Sequence, residues 1–175
     1  SIFLIFNLTF VNSAQAGPSN VTTASVGTGG GSTAIKPQAI AFNGNGEKMF
    51  VLHNLTSGGA SSDFDRVEEY DLDTGFDISA SSISSIQATK IVKAQETAPR
   101  GLAFNNDGTK MFVVGATGDD VNEYTISSGF DLSSNITFVD SKDISGQDTD
   151  PQGIAFNDDG TKMFVVGDAG NDINE

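Results

Sequence analysis

The stretch Gly101–Gly115, GLAFNNDGTKMFVVG, decides how the rest of the chain is read. It returns as Gly153–Gly167 (GIAFNDDGTKMFVVG) and, more loosely, as Ala39–His53 (AIAFNGNGEKMFVLH). Recurrence of one unit marks a repeat architecture, in which each unit packs on its neighbours because none buries its apolar faces alone. Phe104 and Phe156 lie 52 residues apart, whereas Phe42 and Phe104 lie 62 apart. The excess sits in connections. Phe50 to Tyr70 is 20 residues against 12 for Phe112 to Tyr124, and Phe76 to Pro99 is 23 against 21 for Phe130 to Pro151. Tyr70 to Phe76 and Tyr124 to Phe130 are both 6, so the unit is fixed and its loops vary.

Four strands are read in the middle copy. Strand A is Leu102–Phe104, and Asn105-Asn106-Asp107-Gly108 after it is a hairpin signal, since Asn, Asp and Gly tolerate positive φ. Strand B, Lys110–Val114, is apolar at consecutive positions and is expected to be buried on both faces. Gly115–Asp120 is a polar loop. Strand C, Val121–Ile126, alternates, with Asn122, Tyr124 and Ile126 on one face and Val121, Glu123 and Thr125 on the other. Strand D lies within Asn135–Ser141. Four antiparallel strands per unit of roughly 50 residues describe a β-propeller blade, and radial stacking explains strands buried on both faces. The fold class is therefore all-β, an incomplete arc of about two and a half four-stranded blades. The recurring Phe and Tyr positions read as packing between blades.

Pro99–Ser134 resembles a family of secreted bacterial propeller-repeat proteins with units of the form P-x-G-[IL]-A-F-N-x-D-G-T-K-M-F-V-V-G, followed by D-D-V-N-E-Y and S-x-G-F-D-L-S. It is similar, more distantly, to the hairpins of TolB-like, WD40-like and YVTN-type propellers. The resemblance covers residues 37–175 and implies the propeller fold. For activity it implies a range, because such propellers host binding proteins, lyases, lactonases and dehydrogenases alike. The first copy departs from the pattern, with His53 where the others have Gly and a long connection from Asn54 to Arg66.

Ile2–Val11 is a short apolar run followed by Ser13-Ala14-Gln15-Ala16, which fits a secretory signal cleaved after Ala16, its basic start missing. The run is about half of the ~20 residues that a membrane-spanning helix needs. Export to the periplasm, the cell surface or the medium is the expected localisation. The sequence opens at Ser1 without Met and stops inside the third copy, so it reads as a fragment. The expected organisation is a signal peptide over 1–16, a lone outer strand and linker over 17–38, blade one over 39–98, blade two over 99–150 and a partial blade three over 151–175. The lone strand is read from Ser19-Asn20-Val21-Thr22, which mirrors Ser134-Asn135-Ile136-Thr137.

Among 175 residues there are 23 Asp and Glu against 9 Lys and Arg, a formal charge of -14. Such a surface repels phosphate backbones and excludes nucleic acid as a natural partner. The chain has no cysteine, which removes disulfides and thiolate metal sites. Its 1 histidine, His53, rules out centres built on several histidines, and no G-x-S-x-G elbow accompanies Ser57, Ser61 or Ser62 near it. Gly27-Thr28-Gly29-Gly30-Gly31 lacks the Lys and helix of a phosphate loop and reads as a connection.

In an up-and-down blade the B–C and D–A connections share one face. That face collects Asp119, Asp120, Gln147, Asp148, Asp150, Asp168 and Asp172 as candidate binding residues. Clustered carboxylates suit a cationic ligand or Ca²⁺, although no D-x-D-x-D-G spacing is shared by the copies, and solvated turn acids are the plainer alternative. Arg100 stands out at the strand A entrance to the central channel, where the other copies have Gln38 and Gln152. No catalytic residue or cofactor is read. The function expected is a binding or interaction scaffold for a protein, glycan or small molecule. The alternative is a propeller enzyme of the lyase, lactonase or dehydrogenase type with its site at the channel or in further blades.

Overall fold

The computed structural model describes residues 35–55, 65–79 and 81–175. The expected signal peptide, the lone strand, the glycine run and Ser57, Ser61 and Ser62 lie outside these. The described chain is all strand and turn. Blade 1 is β1 (Ile35–Phe42), β2 (Lys48–Leu55), β3 (Arg66–Leu72) and β4 (Ile83–Ile91), an antiparallel meander in that order. Blade 2 repeats it with β5 (Pro99–Phe104), β6 (Lys110–Gly115), β7 (Asp120–Ile126) and β8 (Ile136–Asp143). Blade 3 contributes β9 (Pro151–Phe156), β10 (Met163–Gly167) and β11 (Ile173–Asn174). The first strand starts at Ile35, so Ile35, Lys36 and Pro37 pair with β2 within blade 1. The inner strands β1, β5 and β9 lie side by side, the arrangement of blades around an axis.

The turn between strands A and B shows why the repeat folds alike. Asn105 Oδ1 accepts from Lys110 N at 2.8 Å, Asp107 Oδ1 accepts from Thr109 N at 2.9 Å, and Gly108 takes φ 70°. Blade 3 repeats this with Asn157, Asp159 and Gly160, and blade 1 with Asn43, Asn45 and Gly46. The polar side chains of the N-x-D-G motif are thus spent on the chain's own amides.

Strand B of blade 2 is buried on both faces, as read, and β2 is buried likewise, whereas β10 of blade 3 leaves Val166 exposed. Met111 and Val113 face blade 1 in a core with Phe50, Leu52, Val67 and Tyr124. Val114 faces blade 3 with Val121 and Val165, and Phe112 packs at that core's edge. Each such side chain contributes about 1.5–3 kcal/mol on burial. Phe50 stacks on Phe104 with centroids 4.5 Å apart, and Phe112 on Phe156 at the same 4.5 Å. Inner strands approach closely at glycine: a Cβ on Gly101 would lie 3.0 Å from Gly153 Cα. Strand β8 is exposed along nearly all its length, as an outermost strand is.

Candidate functional site

The face carrying the B–C loops and D–A connections is built around buried carboxylates. After β4 the chain turns through Val92–Glu96 and delivers the fully buried Glu96 to the end of β6. Its carboxylate accepts from Ala98 N at 2.6 Å and Thr117 N at 3.2 Å, so it ties the D–A connection to the B–C loop. Burial pushes the Glu96 carboxyl above its ordinary range, against the pull of these hydrogen bonds. Asp148 does the same work one blade on, accepting from Asp150 N at 2.7 Å and Gly170 N at 3.0 Å. Those bonds, Gly170's foremost, hold the Asp148 carboxyl below its usual value.

Seating these acids requires glycine at the end of the B strand. A Cβ on Gly115 would lie 2.5 Å from Glu96 Cδ, and one on Gly167 only 2.3 Å from Asp148 Cγ. Blade 1 solves the position differently. His53 stands where Gly115 and Gly167 stand, and Ala34 occupies the place in the sequence of Glu96 and Asp148. The His53 side chain is fully buried, with Nε2 at 3.0 Å from Glu68 Oε2. Arg66 Nη2 donates to Glu68 Oε1 at 2.6 Å and Tyr70 Oη donates to Glu68 Oε2. Burial alone would raise the Glu68 carboxyl. The hydrogen bonds from Tyr70 and Arg66 and the His53 imidazole beside the carboxylate outweigh it and bring the pKa down to about 2.

The change is concerted. The cross-strand pair Gly115–Asp120 of blade 2 becomes His53–Arg66 in blade 1. Asn122, whose Nδ2 donates to Asp120 Oδ1 at 2.7 Å, becomes Glu68, while blade 3 keeps Asn174 on Asp172 at 2.8 Å. Three positions switch together: glycine becomes histidine, aspartate becomes arginine and asparagine becomes glutamate. Reading the sequence singled out His53 and missed its partners Arg66 and Glu68, and it missed Glu96. Aligning the copies position by position at 53/115/167, 66/120/172 and 68/122/174 exposes the set.

The acids expected to gather on this face have separate employments. Asp148 is buried and spent on backbone amides, and Asp120 and Asp172 are each bonded to an asparagine. Asp119, at φ 51°, and Gly118, at φ 95°, shape the B–C loop, whose backbone returns to Ile144 N. Gln147 and Asp168 are exposed, and Asp150 is half-buried. Among the described residues no three His, Cys, Asp or Glu side chains form a group that would hold a metal ion. Arg100 does not stand alone at the channel: its Nη1 donates to Gln152 Oε1 at 2.9 Å, and Nη2 lies 3.9 Å from Asp150 Oδ1. It bridges the inner strands of blades 2 and 3.

No protein-family model matches the chain, and no curated protein does. Among solved structures it is similar to a protein from Lactobacillus plantarum, at 17% identity and a TM-score of 0.51. The match covers 77% of this chain and 34% of that one, so the chain spans about a third of its neighbour's length. At that identity the likeness bears on fold alone, and there it agrees with the meander of four-stranded sheets. The chain is an arc of propeller blades.

Proposed function

We propose that the chain forms part of an exported β-propeller that binds a partner carrying basic groups through the face of its B–C loops and D–A connections. One observation carries this reading. On that face Glu96 and Asp148 lock each connection to the loop beside it, leaving the exposed Asp168 and Asp172 and the half-buried Asp119 on a braced frame. A rigid acidic surface offers charge complementarity without an ordering cost on binding. Export rests on the Ile2–Ala16 sequence pattern. His53, from which a catalytic reading would start, is sealed and turned to Glu68, so a substrate would reach it only by displacing what packs on it. That favours binding over catalysis.

The test is ¹H–¹⁵N shift mapping with a deca-lysine peptide at physiological salt. Shifts confined to residues 116–120, 147–150 and 168–172 are expected, with loss on Asp119→Asn/Asp168→Asn. Shifts spread evenly over the acidic chain, or none, would sink the reading.

A further inference from the structure

The turns between strands A and B differ among the blades in one respect that bears on chemistry. Blade 1 reads Asn43-Gly44-Asn45-Gly46, blade 2 Asn105-Asn106-Asp107-Gly108 and blade 3 Asn157-Asp158-Asp159-Gly160. Of these turns, that of blade 1 alone carries two Asn-Gly pairs. An asparagine amide is thermolabile, and a following glycine, having no side chain, leaves its own nitrogen unhindered to reach the side-chain carbon before it. Both pairs have the same chemistry, so only the fold can distinguish them.

It does so at the attacking nitrogen. Gly46 N donates to Asn43 O at 3.0 Å, as Gly108 N does to Asn105 O and Gly160 N to Asn157 O, and Gly46 is buried at φ 73° beneath the Phe76 ring. Asn45 is clamped as well: its Oδ1 accepts from Glu47 N at 3.1 Å and its Nδ2 donates to Glu47 Oε2 at 2.7 Å. Gly44 is the opposite case. It is exposed, no atom lies within 4 Å of where its Cβ would be, and its N–H has no partner among the described residues. This freedom belongs to the turn itself. Asn106, at the same place in blade 2 with a blade on either side, is exposed and leaves its N–H unused too. Lys48 N meanwhile donates to Asn43 Oδ1 at 3.0 Å, the oxygen that gathers negative charge when Cγ is attacked.

We propose that Asn43 is a modification site, converted to aspartate and isoaspartate through a cyclic imide formed with Gly44. Gly44 N gives its proton to solvent base and attacks Asn43 Cγ. The N–Cγ bond forms, the Cγ–Nδ2 bond breaks, and the amide nitrogen leaves as ammonia. Water then opens the imide. Opening at Cγ restores the ordinary main chain with aspartate, whereas opening at the main-chain carbonyl leaves isoaspartate, whose main chain runs through Cβ and is one methylene longer. Isoaspartate takes the acceptor from Lys48 N and lengthens the chain beside the Phe42–Met49 pair, so it loosens the β1–β2 hairpin at its turn.

The test holds the full chain at mildly alkaline pH, folded and in parallel unfolded in urea. Each asparagine is followed by peptide mass spectrometry, with an isoaspartyl methyltransferase marking the rearranged product. In the folded chain Asn43 should convert several-fold faster than Asn45. In urea both are plain Asn-Gly pairs, and the two rates should converge. Gly44→Ala, whose methyl meets no atom, should slow conversion at Asn43 several-fold while leaving the rate at Asn45 and the urea midpoint unchanged. Asn45 converting as fast as Asn43 in the folded chain overturns the proposal, as does an Asn43 that converts in urea but stays intact when folded. Insensitivity to Gly44→Ala overturns it too, since the imide would then not form through that nitrogen.

Discussion

Glu68 Oε2 stands 3.0 Å from His53 Nε2 across β2 and β3, with both side chains withdrawn from solvent. Arg66 and Tyr70 direct their donors to the same carboxylate. Taking one partner from a buried charged set leaves the others uncompensated, at a typical cost of about 3–5 kcal/mol. Glu68→Ala should therefore lower the urea unfolding free energy by about that much, with an unchanged m-value. A loss under about 1 kcal/mol would mean the set contributes no more than an exposed pair.

The same carboxylate gives the blade a pH dependence of known sign. The folded pKa of Glu68 lies at about 2, below its ordinary 4.5. The folded state therefore releases the proton more readily than the unfolded chain. Stability from this group is complete above pH 4.5 and is lost as pH falls toward 2. At about 1.36 kcal/mol per unit the loss is on the order of 3 kcal/mol. Urea unfolding between neutral and acid pH should show this decline in the native chain and a shallower one in Glu68→Gln.

Glu96 should behave in the opposite sense. Burial raises its folded pKa, so the stability tied to its proton is present below its ordinary value and is lost as pH rises through the folded pKa. Glu96→Gln keeps an oxygen for Ala98 N and Thr117 N while removing the buried charge. That variant should be at least as stable as the native chain at neutral pH. It should also lack the decline above pH 4.5. Clear destabilisation at neutral pH would show that the ionised form is what the two amides require.

The blade was legible in the sequence because three of its constraints are local and repeat: the N-x-D-G turn, the doubly apolar B strand and the fixed Tyr-to-Phe spacing. The acids were legible only as a group. Their separate roles depend on which amide lies beneath each one, and Asp148 and Asp150, two residues apart, end up buried and half-buried. Glu96 was passed over because the matching residue in the next blade is Asp148, one methylene shorter. The charged set of blade 1 was hidden because His53, Arg66 and Glu68 are separated by a connection of variable length, and only strand register brings them into one column.

Thermal unfolding should be unmoved by millimolar Ca²⁺. Among the described residues Asp148 is spent on backbone amides, Asp120 and Asp172 on asparagines, Asp150 lies beside Arg100, and no three His, Cys, Asp or Glu side chains converge. A ligand that binds only the folded state at 100 times its dissociation constant would add about 2.7 kcal/mol. A rise of several degrees would therefore show that acids the structure holds apart are drawn together by the ion.

Gly167→Ala tests whether the buried acid and the glycine beneath it form one unit. The added Cβ would lie 2.3 Å from both Cγ and Oδ1 of Asp148, so the carboxylate must leave its amides. Overpacking of this kind costs about 1–3 kcal/mol. Gly146→Ala, with nothing within 4 Å of its Cβ, is the control and should be near neutral. Asp148→Ala removes the obstruction along with the hydrogen bonds to Asp150 and Gly170. The double variant should therefore cost less than the sum of the single ones, with a coupling of about 1 kcal/mol or more. Blade 1 already carries that exchange in its sequence, since Ala34 stands at the acid's position and His53 at the glycine's. Additive costs in the cycle would break the link between the two positions and leave the concerted change in blade 1 without this physical cause.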